Sequence, residues 1–292
     1  MLVLLIGCGT KTDASRTESQ PSAEPSQSGR SKEPREVTYT ERERLSWNGY
    51  LISKQFQMVR DEGFDEPARN SFVSIKRAGK EVARFDNLHL STGNATDFTL
   101  LEFLGGKEKQ LVVSQTGPRD WVHWIVDLSD RPRVIFFSRD YEVNRELGMV
   151  DIDGDGVQEI TQAIIRFDYF NGLSHSVSPL PTVVFKYDQQ AKKYVPACRV
   201  FADWLLAEIE SDKARAIGFE KAALSAPNHS NDHYYYVGAM LGVTLSYIYA
   251  GREDEAWKFF DQNYKLDDKE DFKSKIKGTL SGCPVYKYIY YR

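Results

Sequence analysis

The sequence lacks a basic excess and lacks any recognisable catalytic signature. Its 38 Lys and Arg residues are dispersed and outnumbered by 42 Asp and Glu, for a net charge of −4. Nucleic acid is therefore excluded as an expected partner, because binding phosphates needs a concentrated positive face. No His-Glu-x-x-His zinc motif occurs, no Gly-x-Ser-x-Gly elbow occurs, and no Gly-rich phosphate loop precedes a helix. Cysteine is scarce, with three residues at positions 8, 198 and 283. Aromatics, by contrast, are plentiful at 13%, which favours strands and a well-filled core. The 292 residues suit one large domain or two modest ones.

One stretch requires a chemistry. Asp151-Ile152-Asp153-Gly154-Asp155-Gly156-Val157-Gln158-Glu159 places carboxylates at positions 1, 3, 5 and 9 and Gly at 6. Asp151, Asp153, Asp155 and Glu159 can wrap oxygens around one hard cation, with the main-chain carbonyl of Val157 adding another. Calcium accepts six to eight oxygens in a flexible shell, whereas magnesium demands a tighter octahedron and keeps its waters, so four carboxylates favour calcium. An acidic surface turn would also select Asp and Gly, but it does not account for the strict alternation followed by Glu159. An EF-hand would continue into a helix with a bidentate Glu at position 12. Here position 12 is Gln162, and the run 160–167 is rich in β-branched and aromatic residues, so it reads as a strand.

A calcium loop feeding a strand, carried by MVDIDGDGVQEIT, resembles the FG-GAP and VCBS type repeats of bacterial surface proteins and integrin-like propellers. The resemblance covers a single repeat of about a dozen residues. It implies a structural calcium ion rather than a regulatory one.

The N-terminus reads as an address. The apolar run 1–6 leads to Leu5-Ile6-Gly7-Cys8, which resembles the bacterial lipobox, where the signal is cut before Cys and the new terminal Cys is acylated. The resemblance leads to the expectation that residues 1–8 are a truncated lipoprotein signal with Cys8 as the lipidation residue. Residues 9–36 contain almost nothing apolar and are expected to be a disordered tether, since they bury too little surface to offset ordering entropy.

Residues 37–198 form the expected calcium-binding β domain. Runs at 47–56, 71–76, 82–85, 98–104, 110–114, 121–128, 133–138, 160–167, 182–187 and 193–196 alternate with turn signals, as in an antiparallel meander. A closed propeller takes at least four four-stranded blades, so the region is too short for one. Two propeller-like blades, a sandwich or a small barrel are the alternatives, with a meander of blade-like hairpins favoured. Trp121-Val122-His123-Trp124 alternates as a strand, which puts His123 on one face with Trp121. The loop around Asp168, Tyr169, Phe170, Asn171 and His175 mixes aromatic with small polar residues and is a candidate binding surface.

Periodicity changes after Pro196. Phe201, Trp204, Leu205 and Ile209 recur at helical spacing, as do Val237, Leu241, Leu245 and Ile248. Asn231-Asp232 is the expected N-cap of the second of these helices, and Gly251 its stop. Further helices are expected over 253–264 and from Asp267-Asp268. Residues 199–292 are therefore an expected helical domain, giving an α+β chain with an all-β meander followed by a small all-α C-terminal region. Tyr247, Gly251, Ala256 and Phe260 resemble the middle of a tetratricopeptide unit; a generic helical hairpin is the alternative. With Cys8 acylated, Cys198 and Cys283 are either joined in a disulfide or two independent buried thiols.

These features together lead to the expectation of a membrane-tethered, calcium-stabilised binding or scaffold lipoprotein without catalytic activity. Its place would be the bacterial cell envelope, facing periplasm or exterior, with the membrane held through the N-terminal lipid and a protein or glycan as partner. The alternatives are an envelope-polymer hydrolase, with Glu142, Glu146 and Asp168 as nearby acids, and an assembly factor docking partners through the helical tail.

Overall fold

Turn chemistry sets the boundaries of the first sheet. Asn48-Gly49 and Ala78-Gly79 both carry left-handed φ angles, 50° and 78° in the first pair and 49° and 78° in the second. Positive φ at both central residues is the two-residue hairpin turn whose twist matches that of paired strands. The computed structural model describes residues 37–59, 68–86, 95–116, 121–225 and 230–292. The expected signal, Cys8 and the tether at 9–36 lie outside the described residues.

Three four-stranded sheets follow one another along the chain. The first contains β1 (Val37–Trp47), β2 (Tyr50–Val59), β3 (Ala68–Arg77) and β4 (Lys80–Asp86). The second contains β5 (Ala95–Leu101), β6 (Gln110–Thr116), β7 (Trp121–Asp127) and β8 (Arg133–Phe137). The third contains β9 (Val143–Val150), β10 (Glu159–Ile164), β11 (Thr182–Asp188) and β12 (Lys193–Pro196). Every pairing is antiparallel, and each sheet is a meander in chain order. Two strands differ from the sequence expectation. Asn48-Gly49 is a turn inside what reads as one strand at 47–56, so β1 precedes it. The stretch over β9 carries Asn144, Arg145 and Gly148 and shows little strand character, yet it pairs with β10 from Val143↔Ile164 to Val150↔Glu159.

Neighbouring sheets are joined by both apolar and polar contacts. Tyr50, Ile52, Val73, Ile75 and Phe85 of the first sheet pack with Leu111, Val113, Val126 and Leu128 of the second region. At the same junction Thr96 N donates to Ser71 Oγ (3.0 Å), Thr96 Oγ1 donates to the Ser71 carbonyl (3.0 Å), and Gln115 Nε2 donates to Thr96 Oγ1 (3.2 Å). These buried polar groups are thereby satisfied by one another, without which each would cost about 1–3 kcal/mol.

The helical region comprises α1 (Ala202–Leu205), α2 (Ile209–Gly218), α3 (Glu220–Ser225), α4 (Asn231–Tyr249), α5 (Glu253–Asn263), α6 (Lys269–Ser281) and α7 (Pro284–Tyr291). Its N-cap at α4 is Ser230, one residue before the expected pair; Ser230 Oγ accepts from His233 N at 3.2 Å. Gly251 ends the following turn with φ 80°, where a Cβ would stand 2.4 Å from Arg199 Cγ. Pro284 opens α7, a position where its missing N–H costs nothing.

The helices share a core with the third sheet and part of the second. Phe103, Phe136, Ile160, Phe167, Phe185 and Tyr194 belong to the same buried cluster as Leu241, Ile248, Phe260, Phe272, Ile276 and Val285. Each such side chain contributes about 1.5–3 kcal/mol on burial. The change from strands to helices between Pro196 and Ala202 therefore does not separate two cores. No helix among the described residues is long and apolar enough to cross a membrane.

Candidate metal centre

The acidic stretch is the hairpin loop between β9 and β10. Gly154 and Gly156 supply the left-handed turns it needs, with φ 74° and 84°. Backbone amides then fix three carboxylates. Ile152 N donates to Glu159 Oε2 (2.9 Å), Gly156 N to Asp151 Oδ2 (3.1 Å) and Val157 N to Asp155 Oδ1 (2.8 Å). The loop is also tied to its surroundings: Gln158 N donates to the Phe103 carbonyl (2.7 Å), and Tyr194 Oη donates to the Gln158 carbonyl (2.9 Å).

Asp151, Asp153 and Glu159 converge, each offering one carboxylate oxygen within 4.8 Å of the others. Asp155 is not part of that convergent set; its Oδ2 is engaged by Lys186 Nζ at 2.7 Å. Val157 is half-buried at the far side of the turn. Two oxygens are left over. Asp151 Oδ1 and Glu159 Oε1 are buried and have no hydrogen-bond partner, and the Glu159 side chain is 0% exposed. Lys186 Nζ lies 3.4 Å from Glu159 Oε1, an ion-pair distance. Burial, partly offset by the Ile152 amide and the Lys186 charge, raises the Glu159 carboxyl above its ordinary value. Buried anionic oxygens without donors are costly unless a cation meets them, and an all-oxygen set of this kind suits a hard divalent ion. Asp151, Asp153 and Glu159 could therefore hold a hard divalent ion such as calcium.

Lys186 on β11 is the residue that sequence reading missed. It stands one step beyond the Ile160↔Phe185 pair in the β10–β11 register, opposite Glu159. Its Nζ reaches Asp153 Oδ2 at 2.5 Å and Asp155 Oδ2 at 2.7 Å. Burial works against its charge, but the two carboxylate hydrogen bonds and Glu159 outweigh this and raise its pKa above the ordinary lysine value. Only the register, which is not readable from one strand alone, brings it to the loop.

The candidate binding loop divides in two. Phe170 turns inward onto Phe167 and Phe272, with ring centroids 5.2 and 5.6 Å away. Asp168, Tyr169, Asn171 and His175 stay at or near the surface. His175 Nδ1 donates to both Asp168 oxygens (2.8 and 2.9 Å), and its Nε2 accepts from Arg145 Nη2 at 3.1 Å. Tyr169, 52% exposed, stacks on the imidazole at 5.9 Å. Left-handed φ at Tyr169 (57°) and Asn171 (50°), and φ 133° at Arg145, place backbone strain around this group. Among the nearby acids, Glu142 is held by Arg166 (Nε to Oε2, 2.7 Å).

His123 is buried in β7 between Ser114 Oγ (2.9 Å from Nδ1) and the Arg145 carbonyl (2.8 Å from Nε2). A carbonyl only accepts, so Nε2 carries the proton and Nδ1 accepts from Ser114. Burial lowers its pKa, ahead of the raising effects of the Arg145 carbonyl and Glu146. Cys198 and Cys283 are free and buried in this structure. Cys198 Sγ sits against Val184 N (3.4 Å), and Cys283 Sγ accepts from Tyr249 Oη (3.4 Å). Burial pushes the Cys198 thiol up to about 12.

Neither protein-family models, nor curated proteins, nor solved structures give a match to this chain.

Proposed function

We propose that this chain is a calcium-stabilised binding or scaffold module of the bacterial cell envelope, lipid-anchored through Cys8, with no catalytic activity of its own. The observation that carries the reading is the pair of buried carboxylate oxygens, Asp151 Oδ1 and Glu159 Oε1, facing a convergent acidic loop without a hydrogen-bond partner. Asp151, Asp153 and Glu159 would hold the ion, with Asp155 and the Val157 carbonyl completing the oxygen set. Calcium supplies charge neutralisation there and fixes the β9–β10 hairpin against the second sheet. Extracellular calcium modules have dissociation constants of about 0.1–1 mM, and an ion that binds only the folded state stabilises it by mass action.

The anchor rests on Leu5-Ile6-Gly7-Cys8 and the polar segment after it. A protein or glycan is the proposed partner, and the exposed Tyr169, His175 and Arg145 group is the surface that suits it: a strained loop with an aromatic face beside hydrogen-bonding groups. Nucleic acid is not a proposed partner, given the net charge of −4.

Thermal melting with and without chelator tests the calcium reading. Calcium at about 2 mM raises the melting temperature by several degrees, and Asp153→Ala loses that increment. Equal melting temperatures of the natural protein in calcium and in chelator refute the reading.

A further inference from the structure

Lys186 is the one member of the loop environment that a calcium pattern leaves unexplained. Its ammonium contacts the carboxylates of Asp153 and Asp155 at 2.5 and 2.7 Å, the residues that positions 3 and 5 would offer to an ion. It comes from β11, across the sheet from β10, so it is delivered by a rigid strand and not by a mobile tip. Asp155 is drawn to Lys186 and stands apart from the Asp151, Asp153 and Glu159 set. One ammonium does not satisfy the group: Asp151 Oδ1 keeps no hydrogen bond, and Glu159 Oε1 has only the 3.4 Å ion-pair contact with Lys186 Nζ.

We infer that Lys186 is a tethered competitor of the metal, a built-in cation that holds Asp153 and Asp155 in the metal-free loop and is displaced when a divalent ion binds. The inference rests on the calcium reading of the loop. Two cations only a few ångströms apart in a partly buried site repel strongly, so calcium gains the full carboxylate set only as the ammonium leaves. Two consequences follow from the geometry. The metal-free hairpin stays closed, because Lys186 already neutralises part of its charge. Calcium affinity is also lower than four carboxylates alone would give, which matches the loop to a compartment where calcium is steadily abundant and not to one where it signals at micromolar levels.

Calorimetric titration of the full chain with calcium, comparing the natural protein with Lys186→Met, tests this. The variant binds calcium about tenfold or more tightly than the natural chain, and in chelator it melts lower. Amine labelling of the natural protein, read by peptide mass spectrometry, keeps the test independent of the variant's folding: calcium increases labelling at Lys186 while other lysines stay constant. Equal affinities, or labelling of Lys186 unchanged by bound calcium, overturn the competition and leave the calcium reading standing. An absence of calcium binding by both proteins overturns the calcium reading, and the competition with it.

Discussion

Arg166 grips Glu142 with two guanidinium nitrogens, Nε to Oε2 at 2.7 Å and Nη2 to Oε1 at 2.8 Å, while the same Nη2 donates to the Gly282 carbonyl at 3.1 Å. Glu142 precedes β9, Arg166 follows β10, and Gly282 precedes α7. One side chain thus spans the open end of the acidic β9–β10 hairpin and fastens it to the junction between α6 and α7.

Arg166→Met keeps the apolar stem and removes these hydrogen bonds. The pair is partly exposed, with side chains 26% and 39% accessible, so solvent screening reduces its worth. A loss of about 1 kcal/mol is expected, which corresponds to a fall of about 2–4 °C in melting temperature for a chain of this size. Calorimetry measures it, and the calcium increment should survive, since the hairpin loop itself is untouched.

The buried His123 makes stability depend on acidity. Its folded-state pKa is depressed by burial, so the unfolded chain takes up a proton more readily than the folded one. Its contribution is fully present above the unfolded value of about 6.5 and is lost as pH falls through the folded value. The steepest slope for one group is about 1.4 kcal/mol per pH unit. Denaturant unfolding of the natural protein should therefore show declining stability below about pH 6.5, and His123→Gln should flatten that decline. Parallel profiles for the two proteins would rule out His123 as its source.

Gly238 on α4 lets the loop before β11 come close. A Cβ there would lie 2.3 Å from the Val177 carbonyl oxygen, a backbone atom that has no rotamer to change. Gly238→Ala is expected to destabilise by about 1–3 kcal/mol. Gly218, at the end of α2, has no atom within 4 Å of a built Cβ, so Gly218→Ala is expected to be neutral or stabilising by up to about 1 kcal/mol. Chemical denaturation of the two variants reads the opposite signs directly.

The class of fold was legible in the alternation of apolar runs and in the switch to helical spacing after Pro196. Strand boundaries were less so where two signals competed. Asn48-Gly49 sits between Trp47 and Tyr50, and the aromatic neighbours read as one continuous strand although Asn-Gly is itself a hairpin signal. Over β9, Gly148 looks like a breaker, yet it is required because a Cβ would meet Thr161 Oγ1 at 2.0 Å across the ladder. The acidic loop was readable because its carboxylates are contiguous in the chain. Lys186, Arg145 and Arg166 were not, because each reaches its partners through sheet register or helix packing. A single sequence does not encode those relations at any fixed spacing.

The meander order of the three sheets also bears on how the chain acquires its structure. Among the described residues every strand pairs with strands adjacent to it in sequence, so each sheet can zip up from hairpins without waiting for distant segments. Such locality favours rapid assembly, because little loop-closure entropy is lost before contacts form. A chain emerging from its N-terminal end can complete the first sheet, then lay the second beside it, then the third. Only the helices, which share a core with the third sheet, must wait until that sheet exists to receive them.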